Sequence, residues 1–99
     1  MYTIMKMQLY LSDKPSKRFV VIFGDKKYYF GSPVGSTYID HGDKLKRENY
    51  RKRHYANKTE KYRIDNLVHS PALFSYYILW GDSNNINTNL KKLNKLMGH

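Results

Sequence analysis

Nine basic side chains fall between positions 44 and 63: Lys44, Lys46, Arg47, Arg51, Lys52, Arg53, Lys58, Lys61 and Arg63. Only Glu48 and Glu60 oppose them, so this fifth of a 99-residue chain carries +7 of a formal net charge of +10. The excess is a local patch and not a uniform coat. Tyr50, Tyr55 and Tyr62 are interleaved with the cations. Residues of these types can do three things. Lys and Arg can displace the condensed counterions of a nucleic acid while tyrosines stack on bases or bond phosphates. They can meet acidic faces of neighbouring proteins, where charge steers docking and sets register. Or they can form a solvated helix stitched by pairs such as Asp43 with Arg47 and Glu48 with Lys52, each worth about 0.2–0.5 kcal/mol. Charge alone leaves the three open. The residues expected at any contact are the nine cations together with Tyr55.

Other chemistry finds little support in the residue types. The chain has no cysteine, hence no disulfide framework, thiolate metal site or cysteine nucleophile. Its imidazoles are His41, His54, His69 and His99, and the spacing of 13 between the first two puts them at opposite ends of a helix, out of reach of one zinc ion. Their expected roles are structural, His41 capping a helix start and His54 meeting the last carbonyls of a helix. Asp40 and Asp43 are near in sequence, but among so many cations they read as helix-start caps, not as a catalytic carboxylate pair. Gly24-Asp25-Lys26-Lys27 lacks the further glycines and the following Ser or Thr of a phosphate loop. We therefore expect no enzyme, no cofactor, no metal and no small-molecule substrate.

The elements that must position the patch follow from periodicity. Met5, Met7, Leu9 and Leu11 alternate with polar residues and Tyr10, as in a half-buried strand. Phe19–Phe23 is a continuous β-branched and aromatic run that suits a strand covered on both faces. Residues 24–27 read as a reversal and Tyr28-Tyr29-Phe30 as a returning strand, with one of the two tyrosines pointing away from the core. Gly31 to Gly35, containing Pro33, is the clearest linker. A helix is then expected to be opened by Asp40 or Gly42, with its body from about Asp43 to Tyr55, and Ser36 or Thr37 caps an earlier short turn. Its wheel sets Asp43, Arg47, Tyr50 and His54 on the side held by the domain and Lys44, Lys46, Arg51, Lys52 and Arg53 on the other faces. Residues 56–69 show no clean period. Ser70-Pro71 opens a short helix to about Trp80, in which Phe74, Tyr77 and Trp80 are core and not a stacking platform. A last helix runs from about Asn87 to Met97, with Ile86, Leu90, Leu93 and Met97 as its apolar stripe and Lys91, Lys92 and Lys95 in water.

Strands followed by helices give the α+β class: a small antiparallel sheet of two to three strands and about three helices, in a single basic domain over residues 1–99. A 40% hydrophobic and 15% aromatic composition is too rich for a disordered basic tail. Polar residues at Thr3, Lys6 and Gln8 break the apolar start, so a secretory signal is not expected. Ala72–Trp80 is roughly half the length of a bilayer-spanning helix, so no transmembrane segment is expected either.

The run HGDKLKRENYRKRH at residues 41–54, preceded by a strand ending in Phe30-Gly31 and a Gly-Ser-Thr-Tyr turn and followed by SPALFSYYILWGD, resembles a small basic domain recurrent in nucleocytoplasmic large DNA viruses. That pattern is a lysine-rich strand pair, a helix of the form H-x-D-x-x-[KR]-[KR]-x-x-Y-x-x-R-H and a second helix ending in Leu-Trp. His41, Asp43, Lys46, Arg47, Tyr50, Arg53 and His54 match the first helix, and Leu79 and Trp80 the second. The similarity runs from about Asp13 to Leu96. Asn57–Val68 departs from it, lacking the Trp or Gly-rich connection usual there. The resemblance implies a viral setting and a shared fold and brings no activity with it. With the charge patch it leads to the expectation of a non-enzymatic structural protein of a large DNA virus particle, a minor capsid or capsid-associated component. Its partners would be other virion proteins, and it would be found in the virion and, during assembly, in the host cytoplasm. The alternative is a nucleic-acid-binding protein that contacts the phosphates of viral DNA without sequence preference.

Overall fold

The computed structural model describes residues 6–99; Met5, the first apolar position of the expected N-terminal alternation, lies outside them. Strands β1 (Gln8–Leu11), β2 (Phe19–Phe23) and β3 (Lys26–Phe30) pair antiparallel in that order. The register aligns Leu9, Val21 and Tyr28 in one row and Tyr10, Val20 and Tyr29 in the next. Successive side chains point to opposite faces, so the first row joins Phe19 and Phe30 toward the helices and the second faces away. Lys26 and Lys27 belong to β3, not to the reversal. Phe23 pairs with Lys26, leaving Gly24-Asp25 as a two-residue connection, and Gly24 takes the positive φ of 63° that such a hairpin needs at its first central position. Leu11 does not follow the half-buried pattern. As the last residue of an edge strand it stays 79% exposed. Tyr29 points away from the core as expected, half-buried, with Lys14 over its ring and its hydroxyl donating to Asp13 at 2.8 Å, while Tyr28 packs against the core.

After the sheet come α1 (Tyr38–His41), α2 (Lys44–Ala56), α3 (Lys58–Asp65), α4 (Pro71–Phe74), a π-helical turn (Ser75–Leu79) and α5 (Ile86–Leu96). The class is α+β, with five α-helices instead of about three. The short turn expected after Ser36 or Thr37 is α1, started by Thr37, whose backbone N–H and hydroxyl donate to the Asp40 carboxylate at 2.8 and 3.0 Å. Arg18 closes on the same carboxylate with both guanidinium nitrogens, at 2.7 and 2.6 Å, tying α1 to the loop before β2. The helix α3 has no counterpart in the periodicity because Ile64 is its single buried residue. Ser70 caps α4 as expected, its Oγ accepting from the Leu73 N–H, and Pro71 fills the first turn, where no N–H is missed. The helix then widens: the Trp80 N–H donates to the Ser75 carbonyl, five residues back, at 3.0 Å.

The core lies between the inner sheet face and α4, the π turn and α5. Val21, Phe30, Leu73, Phe74, Ile78 and Leu93 are fully buried there. Besides the capping Ser70, two asparagines bring polar groups into it. Asn94 accepts from the Met7 N–H at 2.8 Å and donates to the Met7 carbonyl at 3.2 Å, joining α5 to the entry of β1. Asn89 donates to the Ile78 and Ser83 carbonyls at 2.9 and 2.7 Å and accepts from the Ser83 N–H at 3.1 Å. Gly81 fits between them because it has no side chain: a Cβ there would collide with the Tyr77 carbonyl and the Asn89 amide. Among the described residues no helix is long and apolar enough to cross a membrane.

Candidate interface on the basic helices

Asp43 starts α2, its carboxylate accepting from the Leu45 and Lys46 N–H groups at 3.0 and 3.2 Å. His41 supports that start, its Nδ1 accepting from the Asp43 N–H at 2.8 Å. With its oxygen occupied as a cap, Asp43 does not pair with Arg47. Arg47 instead meets Glu48 at 3.3 Å, which also replaces the expected Glu48–Lys52 pair.

No residue of α2 is fully buried. Four side chains nevertheless hold it to the domain. Tyr50 stacks on Trp80 with ring centroids 4.2 Å apart and planes 9° from parallel. Burial pushes its phenol up to about 12, so it stays neutral. Arg47 donates to the Asp82 carbonyl at 3.2 Å and lies over the Tyr38 ring at 4.7 Å. Arg51 donates from Nε to the Trp80 carbonyl at 3.0 Å and from a terminal nitrogen to the Asp82 carboxylate at 3.1 Å. Lys92 of α5 reaches the same carboxylate, and these two cations, Lys92 foremost, hold Asp82 below the usual carboxylate range. His54 packs on Tyr50 at 4.0 Å, and its Nδ1 lies 2.7 Å from Glu60, off the hydrogen-bond axis. It therefore faces α3 and not the last carbonyls of its own helix.

The wheel thus placed Arg47, Tyr50 and His54 correctly and Arg51 wrongly. Arg51 sits one residue past Tyr50, and its long stem brings the guanidinium back to carbonyls that the π turn leaves free. Residues 80–82 are the docking groove that the sequence reading missed. The signal available was Gly81, a small residue directly after Leu79-Trp80, but carbonyl acceptors have no side-chain signature.

α3 is attached to α2 by polar contacts. Asn57 caps it, accepting from Thr59 and Glu60 N–H groups at 3.0 and 3.1 Å. Tyr55 donates to Asp65 at 2.6 Å, and Lys61 donates to the other oxygen of Asp65 at 2.7 Å while lying over the Tyr55 ring. The Lys61 ammonium first, then the Tyr55 hydroxyl, lowers the Asp65 pKa; Asp65 raises that of Tyr55. Of the ten residues expected at a contact, Arg47, Arg51, Lys61 and Tyr55 are therefore engaged within the fold. Lys44, Lys46, Lys52, Arg53, Lys58 and Arg63 are exposed, and none of them forms an ion pair among the described residues. Leu45, 71% exposed, and Tyr62, 64% exposed, stand among them. The site is a pair of helices tied by polar contacts, whose six exposed cations form no ion pair among the described residues. Among the described residues, no three His, Asp or Glu side chains gather to hold a metal ion.

No curated protein and no solved structure matches the chain. Residues 7–54 match the model of a family of unknown function, DUF5754, a span that takes in the sheet, α1 and α2 as far as His54.

Proposed function

We propose that this protein is a non-enzymatic structural component of a large DNA virus particle, a minor capsid or capsid-associated protein that docks acidic neighbours through α2 and α3. One observation carries the binding part: six exposed cations without internal partners lie on two helices whose inward arginines, tyrosines and caps fix them in place. Neither ion pair expected of a solvated, self-stitched helix forms: Asp43 caps α2 and Glu48 meets Arg47, which leaves Lys52 free. The resemblance of residues 41–54 and 79–80 to the large-virus domain supplies the setting. The free set is mainly lysine, a compact point charge that suits broad complementarity to carboxylates. Two of the four arginines in the cluster, Arg47 and Arg51, are turned inward. The reading is tested by cross-linking mass spectrometry on washed particles. Links from Lys44, Lys46, Lys52 or Lys58 to acidic segments of other particle proteins are expected. Absence of the protein from such particles overturns it.

Tyr62 favours a second reading, non-specific binding of nucleic acid, since an exposed aromatic beside Lys58 and Arg63 can stack on a base. That reading requires affinity for DNA to fall about a thousandfold between roughly 50 and 200 mM salt, if about six phosphates are neutralised. A shallow slope speaks against it.

A further inference from the structure

Away from the basic helices, two histidines distant in sequence converge. His69 lies just before α4 and His99 just after α5. Gly98 turns the chain back at φ 76°, a left-handed conformation that glycine enters without strain, and the His99 N–H then donates to the Asn94 carbonyl at 2.8 Å. This reversal lays the His99 ring on Phe23, stacked with centroids 4.3 Å apart. The same Phe23 meets His69 edge-on at 5.0 Å, and Tyr28 meets His69 at 5.5 Å. Aromatic packing thus fixes both half-buried imidazoles, with their Nε2 atoms 3.2 Å apart.

A tetrahedral metal ion with nitrogen ligands at about 2.0–2.1 Å holds those nitrogens about 3.3–3.4 Å from one another. The two Nε2 atoms already stand at nearly that separation, on rings whose orientation is set. We propose that His69 and His99 form a two-histidine site for a borderline-soft divalent cation of the zinc or copper type, with water completing the coordination shell. Imidazole suits these ions, and it ligates when neutral. Burial first, then the neighbouring His99 and Lys26, lowers the His69 pKa. Lys26 also repels a cation, and among the described residues no third His, Asp or Glu completes the set. Both facts set the affinity well below that of a structural zinc site.

The test is a titration of the full chain with Zn2+ at pH 7.5, followed by calorimetry and by the imidazole NMR signals. One saturable site is expected, with shifts confined to His69 and His99. His69→Phe and His99→Phe keep an aromatic ring in each place, and each should weaken binding by at least the roughly tenfold that loss of even an outer-shell partner causes. Circular dichroism confirms folding, and His99→Phe alone decides the matter if His69→Phe misfolds. No saturable binding means that the pair is a hydrogen bond only. Binding unchanged in either variant places the metal elsewhere. Either result overturns the proposal.

Discussion

Single side chains in this protein divide by what their polar atoms face. Asn89 satisfies two carbonyls and one N–H in the core, and Asn89→Leu strands all three. A loss of about 3 kcal/mol in urea unfolding is expected, because each buried unsatisfied group costs about 1–3 kcal/mol. A loss below about 1 kcal/mol would show that water replaces the amide. Asp40 makes a pH-dependent contribution. Arg18 first, with the Thr37 N–H and hydroxyl, holds its carboxyl well below the unfolded value of about 3.9. A depressed carboxyl stabilises the fold above the unfolded pKa and loses that contribution as pH falls toward the folded pKa. Asp40→Asn should therefore flatten the acid side of the stability profile below about pH 4, as read by urea midpoints at stepped pH. Parallel profiles for the two proteins would contradict this. Neither residue was legible as such. Asp40 reads as an opener of the long basic helix, whereas it lies inside α1, where its carboxylate completes the Thr37 cap, and its partner Arg18 is 22 positions away. Asn89 lies one residue before Leu90 and Asn94 one after Leu93, both beside an apolar stripe that was correctly drawn.

At the scale of elements, legibility followed the source of each element's stability. β2, α4 and α5 owe their places to apolar burial, which repeats along the chain and can be counted. α2 and α3 owe theirs to caps, stacking and hydrogen bonds to carbonyls. The approximate span of α2 could be read, but neither its opening at Asp43 nor its docking could, and α3 left only the sign Asn57 followed three residues later by Glu60. The ten candidate contact residues were likewise legible as a charge cluster, while their division into four engaged and six free required the fold. This division can be measured. Tyr50→Ala removes the stack on Trp80 and leaves a gap beneath α2, and should cost about 3 kcal/mol. Asp43→Ala should cost about 1 kcal/mol through the lost cap. Lys52→Gln, on the exposed face of the same helix, should stay within about 0.5 kcal/mol. Equal losses for Tyr50→Ala and Lys52→Gln would mean that α2 is not held as described.

For the whole molecule, a net charge of +10 disfavours the compact state through self-repulsion, and the few acids present are placed against it. Asp40, Asp65 and Asp82 each hold cations in contacts within the fold, and among the described residues no acid forms an ion pair with Lys44, Lys46, Lys52, Arg53, Lys58 or Arg63 on the outer faces of α2 and α3. A chain that concentrates charge in this way gains solubility and a steered encounter with a negative partner, and the gain is sensitive to salt. The most direct measurement replaces Lys44, Lys46, Lys52, Arg53, Lys58 and Arg63 by Gln together and quantifies the variant in purified particles by mass spectrometry. Loss of the protein from particles, with an unchanged urea midpoint, is the expected result. Incorporation at the unaltered level would contradict a docking role for these helices.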